Sequence, residues 1–163
     1  MRLAQILLVS GLLILTYFGI ARGIEAIRFN RNVEGYLKRA ADANTVELAE
    51  KNLTIALNNL VNTPRGYTSI IYTTPDEDVG FWLDNLRASQ KELKQLPANT
   101  TALEKSNTLI KLRETLLDGG EHGVYVTVPP GISIFPANTL FAIWGTIGTV
   151  LFLLGIALFA VLL

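Results

Sequence analysis

Three consecutive acidic residues, Asp76, Glu77 and Asp78, have side chains that could bind a metal or perform acid–base chemistry. Neighbouring residues on a helix point in different directions, so the three carboxylates would not converge on one ion. Calcium loops place their ligands at alternate positions, with a glycine at the sixth position, and that spacing is absent. Thr74 and Pro75 precede the acids, and Glu77 follows Thr74 by three positions, which is typical of a helix start. We therefore interpret the cluster as a helix N-terminus, where acids meet the positive end of the helix dipole.

The composition argues against most other site chemistries. The chain has no Cys, which excludes disulfides, thiol catalysis and Cys-ligated zinc. It has one His, His122, and it contains no glycine-rich phosphate loop, zincin motif or nucleophile elbow. The 14 basic and 14 acidic residues give a formal net charge of zero, so there is no electrostatic reason to expect nucleic acid. We expect a protein that is not an enzyme and that binds neither cofactor nor metal.

Two long apolar segments flank the charged part of the chain. Residues 3–21 lie between Arg2 and Arg22 and contain one strongly polar residue, Gln5, while residues 138–163 contain no charged residue. A transmembrane helix needs about 20 mostly apolar residues. A soluble chain of 163 residues could hardly enclose two uncharged helices of this length. We predict two transmembrane helices, surrounded by lipid, in an integral protein of the cell or inner membrane.

The first apolar segment is expected to act as a signal-anchor, although a cleaved signal peptide is an open alternative. Gly19 and Ala21 would occupy the small positions before a cut after Ala21. With cleavage, the C-terminal segment could serve as a GPI-type signal with its attachment site at 118–120. The spacer between that site and the apolar tail is longer than such signals have, so this alternative is the weaker one.

The second apolar segment carries a regular pattern of small and aromatic residues. The residues recur at alternating steps of four and three, which places them on one helix face. They are Phe141, Gly145, Gly148, Phe152, Gly155 and Phe159. Small residues let membrane helices approach closely, and rings beside glycine gaps could interlock with a neighbour. We predict a helix–helix interface here, formed either with a side of the first helix that contains Gly11, Leu15 and Phe18, or with a second protein or a second copy.

Residues 22–121 are predicted to form a helical extramembrane domain, a three- or four-helix bundle. Residues 22–41 have a partial helical stripe and are expected to continue the first apolar helix. Later helix starts are predicted from a threonine or asparagine followed three positions on by a glutamate. The predicted caps are Asn44, Thr74 and Thr101.

Residues 122–137 are predicted to be an extended strap that leads to the second apolar helix. Gly119 and Gly120 are expected to end the preceding helix. Val124–Val128 alternates β-branched residues with tyrosine, and a Pro-Pro-Gly turn and a second short apolar run follow. This pattern favours a small hairpin or an extended segment. His122 stands at its start and is expected to be solvated.

Two observations favour opposite sides of the membrane for the helical domain. Arg2 alone precedes the first apolar segment, whereas a basic cluster follows it: Arg22, Arg28, Arg31, Lys38 and Arg39. This count favours a cytoplasmic domain, and the cluster would also suit anionic lipid. Long domains are nevertheless exported with little regard to charge, and the sequons at Asn52 and Asn99 are compatible with export. We expect, by a narrow margin, an extracytoplasmic domain with both termini inside.

The function expected from these features is that of an accessory or assembly subunit. Such a protein would act through contacts of its helical domain and of the glycine–phenylalanine face, without catalysis. One alternative is a ligand-sensing extracytoplasmic domain that signals through a partner. Another is a hole-forming protein, although no polar stripe that could line a pore is visible beyond Thr139, Thr146 and Thr149.

Overall fold

A computed structural model describes residues 1–69, 73–120, 123–132 and 138–162. The chain divides into two compact units, one formed by Met1–Ala26 with Ala137–Leu163 and the other by Ile27–Pro136. The described part is mainly helical, with two short strands. The elements are α1 (Arg2–Phe29), a π-helical turn (Asn30–Glu34), α2 (Gly35–Ala41), α3 (Val46–Asn59), α4 (Val79–Lys94), α5 (Ala102–Leu116), β1 (Leu117–Gly120), β2 (Gly123–Val126) and α6 (Asn138–Val161).

The first unit contains the two long apolar helices that the sequence predicts. At 1.5 Å per residue, the 28 residues of α1 extend about 42 Å and the 24 residues of α6 about 36 Å. Both are long and apolar enough to cross a membrane by length and composition. The hydrocarbon core of a bilayer is about 30 Å thick, so each helix exceeds the minimum length.

The helix that starts at Arg2 continues to Ala41, as expected for residues 22–41, but it contains a π-helical turn. A π turn carries one extra residue and disturbs the regular hydrogen-bond ladder. Asn59 of α3 bonds to this turn, because its Nδ2 donates to the Asn32 carbonyl oxygen at 3.1 Å and to the Ile55 carbonyl oxygen at 2.9 Å. The Asn59 side chain of α3 therefore supplies a hydrogen-bond donor to a carbonyl oxygen of the turn, where the bonding departs from that of an α-helix.

The core of the second unit is formed by the apolar faces of α2, α3, α4 and α5. Helix α3 packs against α2 and α4, and α2 packs against α5. Burying one such side chain contributes about 1.5–3 kcal/mol. The largest fully buried side chains are Leu37, Leu53, Val79, Leu83, Leu86 and Leu116.

Helix α4 begins four residues later than a Thr74 cap would require. Its N-cap is Asp78, whose Oδ1 accepts from the backbone N–H groups of Gly80 at 2.8 Å and Phe81 at 3.1 Å. Thr74 instead caps a separate 3₁₀ turn over Pro75–Glu77, where the Thr74 N–H donates to the Glu77 carboxylate at 3.3 Å. The acidic cluster is therefore a helix start, but with two successive caps rather than one.

The division into two caps follows from backbone pairing with the preceding loop. The Thr68 N–H donates to the Glu77 carbonyl oxygen at 3.2 Å, and the Val79 N–H donates to the Gly66 carbonyl oxygen at 2.9 Å. These bonds hold Asp78 in an extended conformation, with φ −76° and ψ 100°. An extended residue cannot belong to a helix interior, so the α-helix starts only after it.

The cap of α3 is also displaced from its predicted position, by one residue. Thr45, not Asn44, is the N-cap, and its Oγ1 accepts from the Leu48 N–H at 3.2 Å. Thr45 has the extended conformation that a cap requires, with φ −133° and ψ 150°. The predicted Thr101 cap of α5 is present, because its Oγ1 accepts from the Glu104 N–H at 3.3 Å and its own N–H donates to Glu104 Oε2 at 2.8 Å.

The hairpin after α5 uses a different first strand from the one expected. Gly119 and Gly120 do not stop the helix, because α5 ends at Leu116 and the next four residues form β1. Strand β1 pairs antiparallel with β2, with Leu117 opposite Val126. Strand β2 thus has a partner earlier in the chain, whereas residues 133–135 of the apolar run after the Pro-Pro-Gly turn lie outside the described residues.

The end of β2 is attached to α4 through a buried tryptophan. Trp82 Nε1 donates to the Thr127 carbonyl oxygen at 3.0 Å, and the Thr127 N–H donates to the Leu116 carbonyl oxygen at 2.9 Å. Ile132 also joins the core. The rest of the predicted strap, residues 133–137, lies outside the described residues, as does His122.

Candidate functional site: the interface of the two apolar helices

Helices α1 and α6 pack antiparallel with their backbones in close contact, and glycines make this possible. A methyl group at Gly11 would lie 2.6 Å from the Phe152 backbone nitrogen and 2.9 Å from the Gly148 carbonyl oxygen. A methyl group at Gly155 would lie 2.7 Å from the Leu8 backbone nitrogen. Because backbone atoms cannot move aside as a flexible side chain can, these two positions accept only glycine at this separation.

Side chains of α1 fill the spaces that the other two glycines of α6 leave. The Phe18 ring would be 3.1 Å from a methyl group at Gly145, and Ile14 Cγ2 would be 2.8 Å from one at Gly148. The Phe18 and Phe141 rings meet edge to face, with centroids 5.7 Å apart and planes at 67°. Such aromatic pairs contribute about 0.5–1.5 kcal/mol beyond their buried area.

The structure thus brings the predicted glycine–phenylalanine face together with the first apolar helix. Gly148 and Gly155 are buried, and Phe141, Phe152 and Phe159 are half-buried. Of the two neighbours that the sequence left open, α1 covers the face in this chain. The predicted second protein or second copy stays a prediction, and it would have to use another surface or displace α1.

The surfaces of α1 and α6 that face away from the interface are apolar and exposed. Only 11% of the most apolar stretch of each helix is buried. Leu13 is 65% exposed and Leu153 is 58% exposed, and neither has a charged residue beside it on its helix. Soluble proteins rarely expose continuous apolar patches larger than a few hundred Å². The two helices therefore have a surface that suits lipid better than water.

The carboxylates of the acidic cluster bond at the two helix starts, Asp76 and Glu77 with Thr74 and Asp78 with the first turn of α4. Asp78 caps α4, and Glu77 accepts from the Thr74 N–H. The pKa of the Asp76 carboxyl lies below its ordinary value, chiefly because the Thr74 side chain bonds to the ionised form. Within the ranges that the structure describes, no group of three His, Cys, Asp or Glu residues lies together as a metal site would require.

The two sequons lie in different environments. Asn52 is buried in the middle of α3, and its Nδ2 donates to the Leu48 carbonyl oxygen at 2.8 Å. Asn99 is exposed in the connection between α4 and α5. Only the second asparagine is therefore accessible to a modifying enzyme in the folded domain.

Two contacts were not anticipated from sequence. Leu8 packs its backbone against Gly155, and the guanidinium carbon of Arg22 lies 5.2 Å from the centroid of the Phe18 ring. The four-residue step from Phe18 to Arg22 is the spacing at which helical side chains meet, so this second contact had a sequence signal. Leu8 had none, because one leucine among many on an apolar helix is not distinctive.

The fold and this interface define a mainly helical protein with two long apolar helices packed through glycine and a separate, well-capped helical unit. No family model, curated protein or solved structure matches the chain. Its function is therefore argued from its own residues.

Proposed function

We propose that the protein is a non-enzymatic integral membrane protein that acts as an accessory or assembly subunit. In this proposal α1 and α6 cross the bilayer as an antiparallel pair of helices. The unit formed by residues 27–136 is an extramembrane bundle that binds a partner. The observation that supports the proposal is a helix pair packed through glycine with apolar residues turned outward.

The packing chemistry of the pair is that of helices in lipid. Lipid tails are as apolar as leucine, so helices in a bilayer associate through close van der Waals contact at small residues. In water the same pair would leave its outward leucine and isoleucine side chains exposed, each forgoing about 1.5–3 kcal/mol of burial. A bilayer covers that surface without further protein.

The extramembrane unit supports a role in binding rather than in reaction. Its helices are capped and share one apolar core, and its polar side chains bond to one another across helices. Gln90 of α4, for example, donates to Thr54 of α3 at 2.7 Å, and Lys111 of α5 donates to Glu92 of α4 at 2.8 Å. A surface whose helices are bonded to one another in this way suits the docking of another protein with little change of backbone.

Membrane integration is tested by alkaline carbonate extraction of membranes that contain the full-length chain. We expect the protein to stay with the lipid pellet, as helices inserted in the bilayer do. Release into the supernatant would contradict the proposed membrane anchor. Substituting Ile14 and Gly148 together by aspartate is the matched positive control for release, since charge in the hairpin opposes insertion.

The accessory role is tested by crosslinking intact membranes with an amine-reactive reagent before mild detergent extraction. Lys91 and Lys105 are available attachment points on α4 and α5. We expect a crosslinked species larger than the chain itself. A chain that remains monomeric, with no crosslinked partner, would argue strongly against a subunit role.

A ligand-sensing role is the second candidate, favoured by an open groove of about 680 Å³ between α2 and the start of α3, whose lining is part polar and part apolar and includes the Lys38–Asp42 ion pair. Lys38, Arg39 and Asp42 line it together with the buried Asn52. Charges of both signs beside an amide suit a small zwitterionic or acidic ligand. A screen of amino acids and organic acids that produces no thermal stabilisation would remove this candidate.

A further inference from the structure

One end of the α1–α6 pair contains an apolar groove of about 480 Å³. Both walls of the groove belong to the first unit. Its lining is apolar and rich in aromatic rings, and consists of Leu13, Ile14, Tyr17, Phe18, Leu140, Phe141 and Trp144.

A guanidinium group lies beside the Phe18 ring, which lines the groove, although Arg22 is not itself a lining residue. Arg22 is half-buried one helical turn after Phe18, and its guanidinium carbon is 5.2 Å from the centroid of the Phe18 ring. The Phe18 ring also lines the groove, so the cation is held next to the apolar surface. Arginine presents a planar set of N–H donors that matches the oxygens of a phosphate group.

Two amphipathic rings mark the depth at which this groove would stand in a bilayer. Tyr17 is 74% exposed on α1 and Trp144 is 53% exposed on α6. Tyrosine and tryptophan concentrate at the level of the lipid headgroups. Arg22 follows Tyr17 on α1, toward the charged part of the sequence. In a bilayer the Arg22 guanidinium would therefore lie at the level of the headgroups, and the groove would lie nearer the acyl chains.

The extent of the groove distinguishes a lipid chain from a helix as its occupant. On α6 the lining extends only from Leu140 to Trp144, about 6 Å along the helix axis at 1.5 Å per residue. A docking transmembrane helix would contact several turns. The first methylene groups of an acyl chain need only a short apolar slot beneath a phosphate contact.

We propose that this groove and Arg22 form a binding site for an anionic phospholipid, with the acyl chain against the aromatic rings and the phosphate at the guanidinium. The proposal depends on the membrane placement put forward under the proposed function. It adds a selectivity for lipid charge that membrane insertion alone does not require.

The test uses fluorescence of Trp144, which lines the groove. The full-length protein is reconstituted into two sets of phosphatidylcholine vesicles. One set contains phosphatidylglycerol with brominated acyl chains, and the other contains phosphatidylcholine with brominated acyl chains at the same fraction. Bromine quenches tryptophan at contact, and subtracting the signal of Trp144→Phe removes the contribution of Trp82. We expect brominated phosphatidylglycerol to occupy the groove about fivefold more strongly, the preference that one basic residue near the surface supplies.

The charge variants connect the preference to Arg22. Arg22→Gln should quench equally with both brominated lipids, whereas Arg22→Lys keeps the charge and should retain part of the preference. Arg2→Gln, at the other end of α1, is the matched control and should keep the full preference.

The unfavourable outcomes are distinguishable. Quenching by both lipids without preference, or a preference that survives Arg22→Gln, would overturn the lipid site and leave the membrane anchor intact. Quenching that falls as the protein-to-lipid ratio rises would show a second copy in the groove and would also overturn it. Absence of quenching by either lipid would instead place Trp144 outside the bilayer and contradict the proposed function.

Discussion

Gly11→Ala is the substitution that most directly probes the α1–α6 interface. The new methyl group would stand 2.6 Å from the Phe152 nitrogen and 2.8 Å from its Cα, whereas carbon atoms in contact normally lie about 3.5–4.0 Å apart. The two helices would have to separate along their length, since the obstructing atoms belong to the backbone. Overpacking of this kind costs about 1–3 kcal/mol.

The control is Gly19→Ala on the same helix, where a methyl group would meet no atom within 4 Å. Both substitutions replace a helical glycine by alanine, and this replacement by itself stabilises the helix by about 1 kcal/mol. The difference between the two variants therefore isolates the contact with α6.

The assay uses the absence of native cysteine. A single cysteine is placed at Ala4 on α1, which is fully buried, and we expect N-ethylmaleimide to label it in mild detergent only when the helices separate. If labelling follows the open fraction, a cost of 1–3 kcal/mol accelerates it about 5- to 150-fold. We expect Gly11→Ala to label within that range and Gly19→Ala to label at the parent rate. Equal rates for the two variants would refute the close packing that the structure assigns to Gly11.

Three further predictions concern the helical unit. The pKa of the Glu104 carboxyl is lowered from 4.5, chiefly by the backbone N–H from which it accepts at the α5 cap, so its stabilisation is present above pH 4.5 and is lost as pH falls through the lowered value. Glu104→Gln should reduce the melting temperature at pH 7 and weaken its fall below pH 4.5, whereas Glu114→Gln on the same helix should leave the melting temperature at pH 7 unchanged. Asn59→Ala removes the donor to the π turn and should be less stable in denaturant unfolding than Asn58→Ala by about 1 kcal/mol, since both variants gain the same helix propensity; equal effects would contradict the role of this bond. If the unit is exported in a eukaryotic host, Asn99 should carry a glycan that Asn99→Gln removes, and its absence in a glycosylation-competent host would favour the cytoplasmic orientation.

The elements that the sequence predicts well are those governed by local chemistry. The Thr101 cap and its Glu104 partner stand three residues apart and meet within one turn, so no distant residue is needed to form them. The length and composition of the two apolar segments likewise predict two long apolar helices, because apolarity over about 20 residues has few other structural solutions.

The predictions that fail are those in which two local solutions have similar energy. Asn44 and Thr45 are both good caps, and Thr74 and Asp78 both suit the start of α4. In the second case the loop at Gly66 decides, by bonding to the Val79 backbone and holding the residue before it extended. Strand β1 is similar, since Leu117 continues an apolar helical stripe and becomes a strand only when it pairs with Val126.

For the glycine–phenylalanine face, the sequence predicts that a helix contact exists, and the tertiary structure decides which helix makes it. The periodic glycines of α6 predict a close helix contact, because small residues let neighbouring apolar helices approach each other. The sequence of α6 alone does not determine which helix is that neighbour. It depends on whether a matching small residue stands at the correct height on another helix. Gly11 of α1 does so opposite Phe152, and only the three-dimensional pairing of the two helices brings their backbones together there.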